Sequence, residues 1–279
     1  MTDDVILMRQ GHDPSPFGPE RDVLFFDQPL LPERLAQVTT AQLWAPHDEK
    51  IARLPKVIGE MTNLISLTIS GGSSEPSLVS DLQTGDLPES LEELRILDEY
   101  GRVVTWPDVQ LPRLKTLFVS DVFRFNASAF PQLHSLSLKP DRAQTNLRQA
   151  LRLPIDELNV LNVSLDESIF EIISDRPLRL LGLLSGTKLT SLEGIQALPA
   201  LESLRLKNLR ALSDISALRD LPNLTQLDIQ YCRRIRGIGV LADLTSLERL
   251  TLVGCGDLGL SELKDVIDRI PRSTIGATT

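Results

Sequence analysis

One pattern is repeated in four segments: RPLRLLGLLSG (176–186), LPALESLRLKN (198–208), LPNLTQLDIQYC (221–232) and LTSLERLTLVGC (244–255). Aligned on their shared leucine (178, 201, 224 and 247), the segments recur every 23 residues, and each carries Leu or Ile three and five positions further on. Apolar residues at alternate positions are typical of a strand with one buried face. Because successive copies are too far apart for hairpins, we expect the strands to pair in parallel.

Less regular copies of the same pattern extend towards the N-terminus. Their spacing varies more than that of the four C-terminal copies, and the first is weak because Ala41 replaces a leucine. The sequence therefore predicts nine repeats and a tenth, weaker copy at Val38. The additional copies start at Val38, Leu64, Leu91, Leu114, Leu133 and Ile155.

The L-x-x-L-x-L motif and its period resemble the leucine-rich repeat family, and the short repeats favour a bacterial origin. The resemblance implies an α/β solenoid, a leucine-rich-repeat arc with a parallel concave β-sheet of about nine to ten strands. Repeats of only 23 residues leave room for short 3₁₀, helical or irregular convex returns. The resemblance also implies a binding scaffold.

The ends of a stacked solenoid need covering, because a terminal repeat exposes the face that its neighbour would have buried. We predict an N-terminal cap and loop over residues 1–34 and the solenoid over 35–260. Residues 261–279 are predicted to form a C-terminal capping helix and a frayed tail. Leu263, Val266, Ile267 and Ile270 share one face of that helix, which Ser261 would cap.

Charge is distributed unevenly along the chain. Of the net charge of −9, residues 1–105 contribute −10 and the remaining residues +1. An acidic end favours a basic partner and makes nucleic acid an unlikely ligand. The sequence contains no apolar run of ~18 residues that would span a membrane and no secretory leader, so we expect a cytoplasmic protein. We also expect it to be a monomer when free.

Candidate chemical groups are few. Cys232 and Cys255 are 23 residues apart, at the turn position where the leucine-rich repeat family places Asn or Cys, so we interpret them as structural. The histidines His12, His47 and His134 lie in separate segments without metal-ligand spacing. No phosphate-binding or nucleophile motif is present. We therefore predict no catalytic residue, cofactor or metal.

Candidate binding residues alternate with the buried leucines and face the concave side. Aromatic, apolar and arginine side chains there are typical of interface hot spots. The candidates for protein binding are Trp44, Arg95, Leu97, Asp98, Phe118, Asp121, Asn159, Leu161, Leu184, Arg205, Lys207, Asp228, Tyr231 and Arg249.

The leading hypothesis is a non-enzymatic protein–protein interaction module that binds a partner protein on its concave face, for example a bacterial immunity protein or an adaptor. One alternative is an enzyme with a site in the irregular N-terminal regions, 1–60 and 70–86, for which His12 and His47 would be needed. The other alternative is nucleic-acid binding through a C-terminal Arg/Lys cluster. That cluster comprises Arg205, Lys207, Arg233, Arg234, Arg236 and Arg249.

Overall fold

The computed structural model describes residues 3–46, 49, 51–71, 77–97, 103–163, 165–174 and 176–276. The chain divides into two compact units, Met1–Pro154 and Ile155–Thr279, here the first and second units. Each unit contains parallel strands whose order follows the repeats, with short helical segments in the returns between them.

The first unit contains eight strands among its described residues. Their order in the sheet is β8, β7, β5, β4, β3, β1, β2, and β6 pairs with the second half of β7. Its returns contain two α-helices, α1 (Pro32–Leu35) and α2 (Thr145–Ala150), and 3₁₀ turns. The strands are β1 (Asp4–Met8), β2 (Asp22–Phe25), β3 (Thr40–Ala45), β4 (Ser66–Gly71), β5 (Glu93–Leu97), β6 (Val103–Thr105), β7 (Thr116–Arg124) and β8 (Ser135–Lys139).

In the second unit the strands follow chain order from β9 to β14. Its returns contain α3 (Ser168–Ile173), α4 (Lys264–Asp268) and 3₁₀ turns at 195–197, 216–220, 238–242 and 260–263. The strands are β9 (Glu157–Val163), β10 (Leu180–Gly186), β11 (Ser203–Leu209), β12 (Gln226–Gln230), β13 (Arg249–Val253) and β14 (Arg272–Gly276).

The strand register of the second unit follows the 23-residue period. Leu181 pairs with Leu204, which in turn aligns with Leu227 and Leu250 on the next two strands. All four are buried, so each leucine packs on its equivalent in the neighbouring repeat. The predicted fold class is confirmed. The predicted count of nine to ten strands is too low, since the described residues form fourteen.

Four strands account for most of the difference in strand count. The N-terminal segment that we expected to act as a cap supplies β1 and β2, and β1 lies between β2 and β3 in the sheet. β6 is an additional strand beside β7. At the other end, residues 272–276 form β14 on the edge of β13, where we expected a frayed tail. The helix expected over 261–270 is a 3₁₀ turn, Leu260–Leu263, followed by the five residues of α4.

Backbone and carboxylate hydrogen bonds join the returns of the second unit. The backbone N–H of Ser213 donates to the carbonyl of Thr190 at 2.9 Å, and that of Arg236 donates to Ser213 at 2.8 Å. The Glu167 carboxylate accepts hydrogen bonds from the backbone N–H and hydroxyl of Thr190 and from the N–H of Ser191, at 2.7–2.9 Å. Glu167 therefore ties its own return to the next one.

The leucines that pair by register across the strands, such as Leu204 and Leu227, are here called ladder leucines. Substitution of one of them tests the register. Leu227→Asp places a carboxylate at a side chain that is 1% exposed, so we expect the free energy of unfolding to fall by about 3 kcal/mol or more. Asp228→Ala, one residue further on and half-exposed, is the matched control and should cost less than about 0.5 kcal/mol. Urea denaturation compares the two, and equal losses would contradict the register.

Removal of the Glu167 carboxylate gives a pH-dependent effect. Partial burial opposes ionisation of this group, but the hydrogen bonds from Thr190 and Ser191 outweigh it and lower its pKa from 4.5 to about 2. A lowered folded-state pKa stabilises the fold above pH 4.5, and this stabilisation is lost as the pH falls towards 2. Glu167→Gln should therefore cost about 1 kcal/mol at pH 7 and almost nothing near pH 2.

The control for this prediction is Glu171→Gln on the exposed side of α3. It should leave the free energy of unfolding unchanged at both pH values. A Glu167→Gln penalty that is the same at pH 7 and pH 2 would show that the charge of the carboxylate is not what stabilises the returns.

Candidate binding surface

The exposed strand face of each unit consists of the side chains that alternate with the buried leucines. In the second unit the strand register aligns these side chains in columns that cross β9 to β13. Such columns are continuous surfaces because neighbouring strands are ~4.8 Å apart. One column contains Asn159, Gly182, Arg205, Asp228 and Thr251, and the next contains Leu161, Leu184, Lys207, Gln230 and Val253.

Two of the candidate leucines are neighbours on this face. Leu161 of β9 pairs with Leu184 of β10, and both are half-buried. In the neighbouring column, Gly182 leaves room that the Asn159 side chain fills, since a Cβ at Gly182 would collide with the Asn159 amide. Lys207, the next residue of the leucine column, is exposed. The face therefore changes from apolar at β9 and β10 to basic at β11.

Tyr231 lies at the end of β12 in a left-handed backbone conformation, with φ of 56°. Its ring is 45% exposed and lies against Gly254, where a Cβ would collide with it. The equivalent residues of the other repeats are also left-handed, at the same 23-residue spacing. Asn, Ser and Gly adopt this conformation more readily than Tyr, and the periodic turn was a signal that the sequence analysis missed. The equivalent residues are Asn162, Ser185, Asn208 and Gly254.

In the first unit, two candidates on adjacent strands contact each other. Arg95 of β5 is the register partner of Phe118 of β7, and its guanidinium carbon lies 5.0 Å from the centroid of the Phe118 ring. This is a cation–π contact. Leu97, at the end of β5, is half-buried, and Asp98 lies outside the described residues.

Trp44 is less exposed than the sequence analysis predicted. The ring centroid of Phe17 lies 5.1 Å from that of Trp44, and the His12 ring packs at 6.0 Å, both edge-on. The His12 Nε2 atom is 2.7 Å from the Glu49 carboxylate, which also pairs with Arg9 at 2.9 Å. The N-terminal loop therefore covers part of this tryptophan, which is half-buried.

Asp121 is not on the exposed strand face, and its assignment as a surface residue is wrong. β7 extends from Thr116 to Arg124, and the alternation of this long strand turns Asp121 inward. Asp121 is only 3% exposed and lies 3.7 Å from the ammonium group of Lys139.

The remaining second-unit candidates face solvent. Arg205, Lys207 and Arg249 are exposed, and none of them forms an ion pair within the described part of the chain. Asp228 is half-exposed and accepts hydrogen bonds from the Gln230 amide at 3.0 and 3.1 Å. These arginine and lysine side chains are therefore available to an outside partner.

The two cysteines are buried and reduced, one repeat apart. The Cys232 thiol donates to the carbonyls of Gln230 at 3.4 Å and Leu206 at 3.7 Å, and Cys255 contacts Val253 and Ile229 in the same way. Burial raises the pKa of the Cys232 thiol to about 11 and also raises that of Cys255. Both thiols therefore donate hydrogen bonds to backbone carbonyls at the turn, which agrees with the structural role that the sequence predicts for them.

The described residues contain no group of three or more His, Cys, Asp or Glu side chains that could hold a metal ion. His12 contacts Glu49, His134 is exposed, and His47 lies outside the described residues. In the same part of the chain, no helix is long and apolar enough to cross a membrane.

Thiol alkylation tests the burial of the cysteines. A thiol pKa near 11 should make Cys232 react with iodoacetamide at pH 8 about 100-fold more slowly than a free cysteine. The rate should increase as the pH approaches 11, and unfolding in urea should restore ordinary reactivity. Rapid modification of Cys232 in the folded protein, measured by mass spectrometry, would contradict its placement.

Comparison with known proteins adds little to these observations. No protein-family model matches the chain, and no curated protein matches it. Among solved structures, an internalin C2 from Listeria monocytogenes is similar at 18% identity and a TM-score of 0.35, over 82% of this chain and 84% of that one. This likeness is too distant to bear on function. The register of the strands themselves, leucine on leucine at a 23-residue offset, shows that the chain has leucine-rich-repeat architecture.

Proposed function

We propose that the protein is a non-enzymatic protein–protein interaction module that binds a partner through the exposed strand face. The observation that carries this proposal is the pairing of Leu161 with Leu184 on an open parallel sheet, beside the exposed cations Arg205 and Lys207. Two half-buried leucines at paired positions of adjacent strands form an apolar patch of the kind that marks an interaction site.

The residue types on this face support a protein partner. Tyrosine and arginine are the residues that dominate binding energy in protein interfaces, because they combine apolar area with hydrogen-bonding or charged groups. Tyr231 is held at one edge of the face by its contact with Gly254. Arg95 and Phe118 form a similar mixed surface in the first unit. Both contacts are formed in the free protein, which lowers the entropic cost of association.

Several finer features belong to the same proposal. A cytoplasmic location and a monomeric free state remain predictions. So does the role as an immunity protein or adaptor. A basic partner is proposed for the acidic residues 1–105, whose net charge is −10. Some of these acidic groups are already paired, for example Asp4 with Arg21 at 2.8 Å and Asp22 with Arg34 at 2.7 Å.

The enzymatic alternative has weaker support. His12 and Glu49 are in contact, but the contact holds the N-terminal loop over Trp44. A general base must also reach a substrate atom, and the His12 Nε2 is already 2.7 Å from the Glu49 carboxylate, whose side chain is 13% exposed. We therefore propose a structural role for this pair.

Site-specific photo-crosslinking in the cells that naturally make the protein tests the proposed function. A benzophenone amino acid replaces Leu184 or Phe118 on the exposed strand face, in the full chain. Matched controls carry it at Ser246 or Gln83, which are exposed residues outside the strands. We expect protein adducts from the strand-face positions and few or none from the controls.

The opposite pattern would contradict the proposal. Adducts that form equally well from Ser246 and Gln83 would mean that the strand face has no special role. Complete absence of adducts from Leu184 and Phe118, in protein that is folded by circular dichroism, would reopen the enzymatic alternative.

A further inference from the structure

The second unit carries a group of exposed cations on β11 and in the turns beside it. Residues 155–279 contain 17 acidic and 14 basic side chains, so the sequence of this unit is mildly acidic. Seven exposed cations nevertheless lie on β11 and in the turns that follow β10, β11 and β12, a surface named here the basic edge. Its residues are Lys188, Arg205, Lys207, Arg210, Arg233, Arg234 and Arg236.

Acidic residues beside the basic edge accept hydrogen bonds within the unit, among them Asp214, the bridge partner of Arg236, which accepts the backbone N–H of Ser216 at 2.8 Å. Asp228 accepts the Gln230 amide, and Asp257 accepts the backbone N–H of Gly259 at 3.0 Å. Many other acidic side chains of the unit lie in the returns, where Glu167 binds Thr190 and Glu202 pairs with Arg179 at 2.8 Å. The seven cations form no ion pair within the described residues.

Backbone hydrogen bonds hold the cationic turns close together. The N–H of Arg210 donates to the carbonyl of Gly186 at 2.8 Å, and the N–H of Arg236 donates to Ser213 at 2.8 Å. Equivalent positions of adjacent repeats are therefore about one strand spacing, ~4.8 Å, apart. Among the seven cations, Arg210 and Arg233 are the pair at such equivalent positions, and an anionic partner relieves the repulsion between them.

The surface next to the basic edge is apolar. The column that begins with Leu161 and Leu184 continues into Lys207. The exposed ring of Tyr231 lies between the strand face and the cations Arg233 and Arg234. A phosphate backbone would use the cations but not the leucines, whereas an acidic polypeptide with apolar side chains would use both.

We infer that the basic edge and the adjoining leucines bind an acidic protein segment that carries apolar side chains. The inference rests on the proposed function and specifies the partner chemistry for the second unit. Acidic side chains of the segment would pair with Lys207, Arg210 and Arg233. Its apolar side chains would cover Leu161 and Leu184.

Fluorescence anisotropy with a defined probe tests the inference on the full chain. The probe is a fluorescein-labelled 12-residue peptide in which Glu and Leu alternate. Two comparison peptides replace either every Glu or every Leu by Gln, and a 20-nucleotide poly-dT represents phosphate ligands. We expect the acidic leucine peptide to bind at least about tenfold more tightly than either Gln peptide and to weaken as salt is raised.

Charge reversal locates the site. The triple variant Lys207→Glu/Arg210→Glu/Arg233→Glu should lose at least about tenfold in affinity for the peptide, since like charges then face each other. The matched control, Arg176→Glu/Arg219→Glu/Arg269→Glu, makes the same change in net charge at exposed residues outside the basic edge and should retain affinity. Thermal melts of both variants check that they are folded.

Three outcomes would overturn the inference: equal losses in the two triple variants, tighter binding of poly-dT than of the peptide, and no binding of the peptide at all. Failure here is distinguishable from failure of the proposed function. Adducts from Leu184 without peptide selectivity would retain the interaction module and reject only the acidic partner. Absence of adducts from both Leu184 and Phe118, together with no binding of the peptide, would reject the proposed function and the inference with it.

Discussion

The contact on which the rest of the structure depends is the packing of each ladder leucine on its equivalent in the next repeat. Leu204 lies between Leu181 and Leu227 by register, and all three are buried. Burial of one leucine contributes roughly 1.5–3 kcal/mol, and a 23-residue period supplies such a contact at every repeat. Backbone pairing in parallel then follows, because it is the arrangement in which equivalent side chains of successive repeats are superimposed.

The same ladder determines what the other side of the sheet can do. When Leu204 and Leu206 point inward, Arg205 and Lys207 must point outward. The register then places outward side chains of successive repeats in columns, so that Leu161 meets Leu184 and leads to Lys207. A binding surface therefore arises from residues that are 23 positions apart, on a backbone whose geometry the inward leucines maintain.

Sequence reasoning succeeded where a local pattern is repeated and failed where distant segments decide the environment. The repeats that start at Leu64, Leu91 and Leu201 could be predicted, because the alternation of apolar and other residues is visible within six residues of each start. Asp121 could not, because the length of β7 depends on its pairing with β6 and β8. Trp44 could not either, because its exposure depends on Phe17 and His12 in a loop some thirty residues away.

The amino-acid sequence by itself determined the repeat length, the inward leucines, the parallel strands and the structural role of Cys232 and Cys255. These features depend on the spacing of residues along the chain, which the sequence states directly. Only the tertiary structure decided that β14 forms on the edge of β13, although its residues are largely exposed and show no buried alternation. It also decided that Lys188 and Arg210 lie in turns beside five cations that the sequence had already grouped as an Arg/Lys cluster. The position of β14 and the placement of these cations both depend on which strands lie side by side. Packing between distant segments decides this, and the spacing of residues along the chain does not state it.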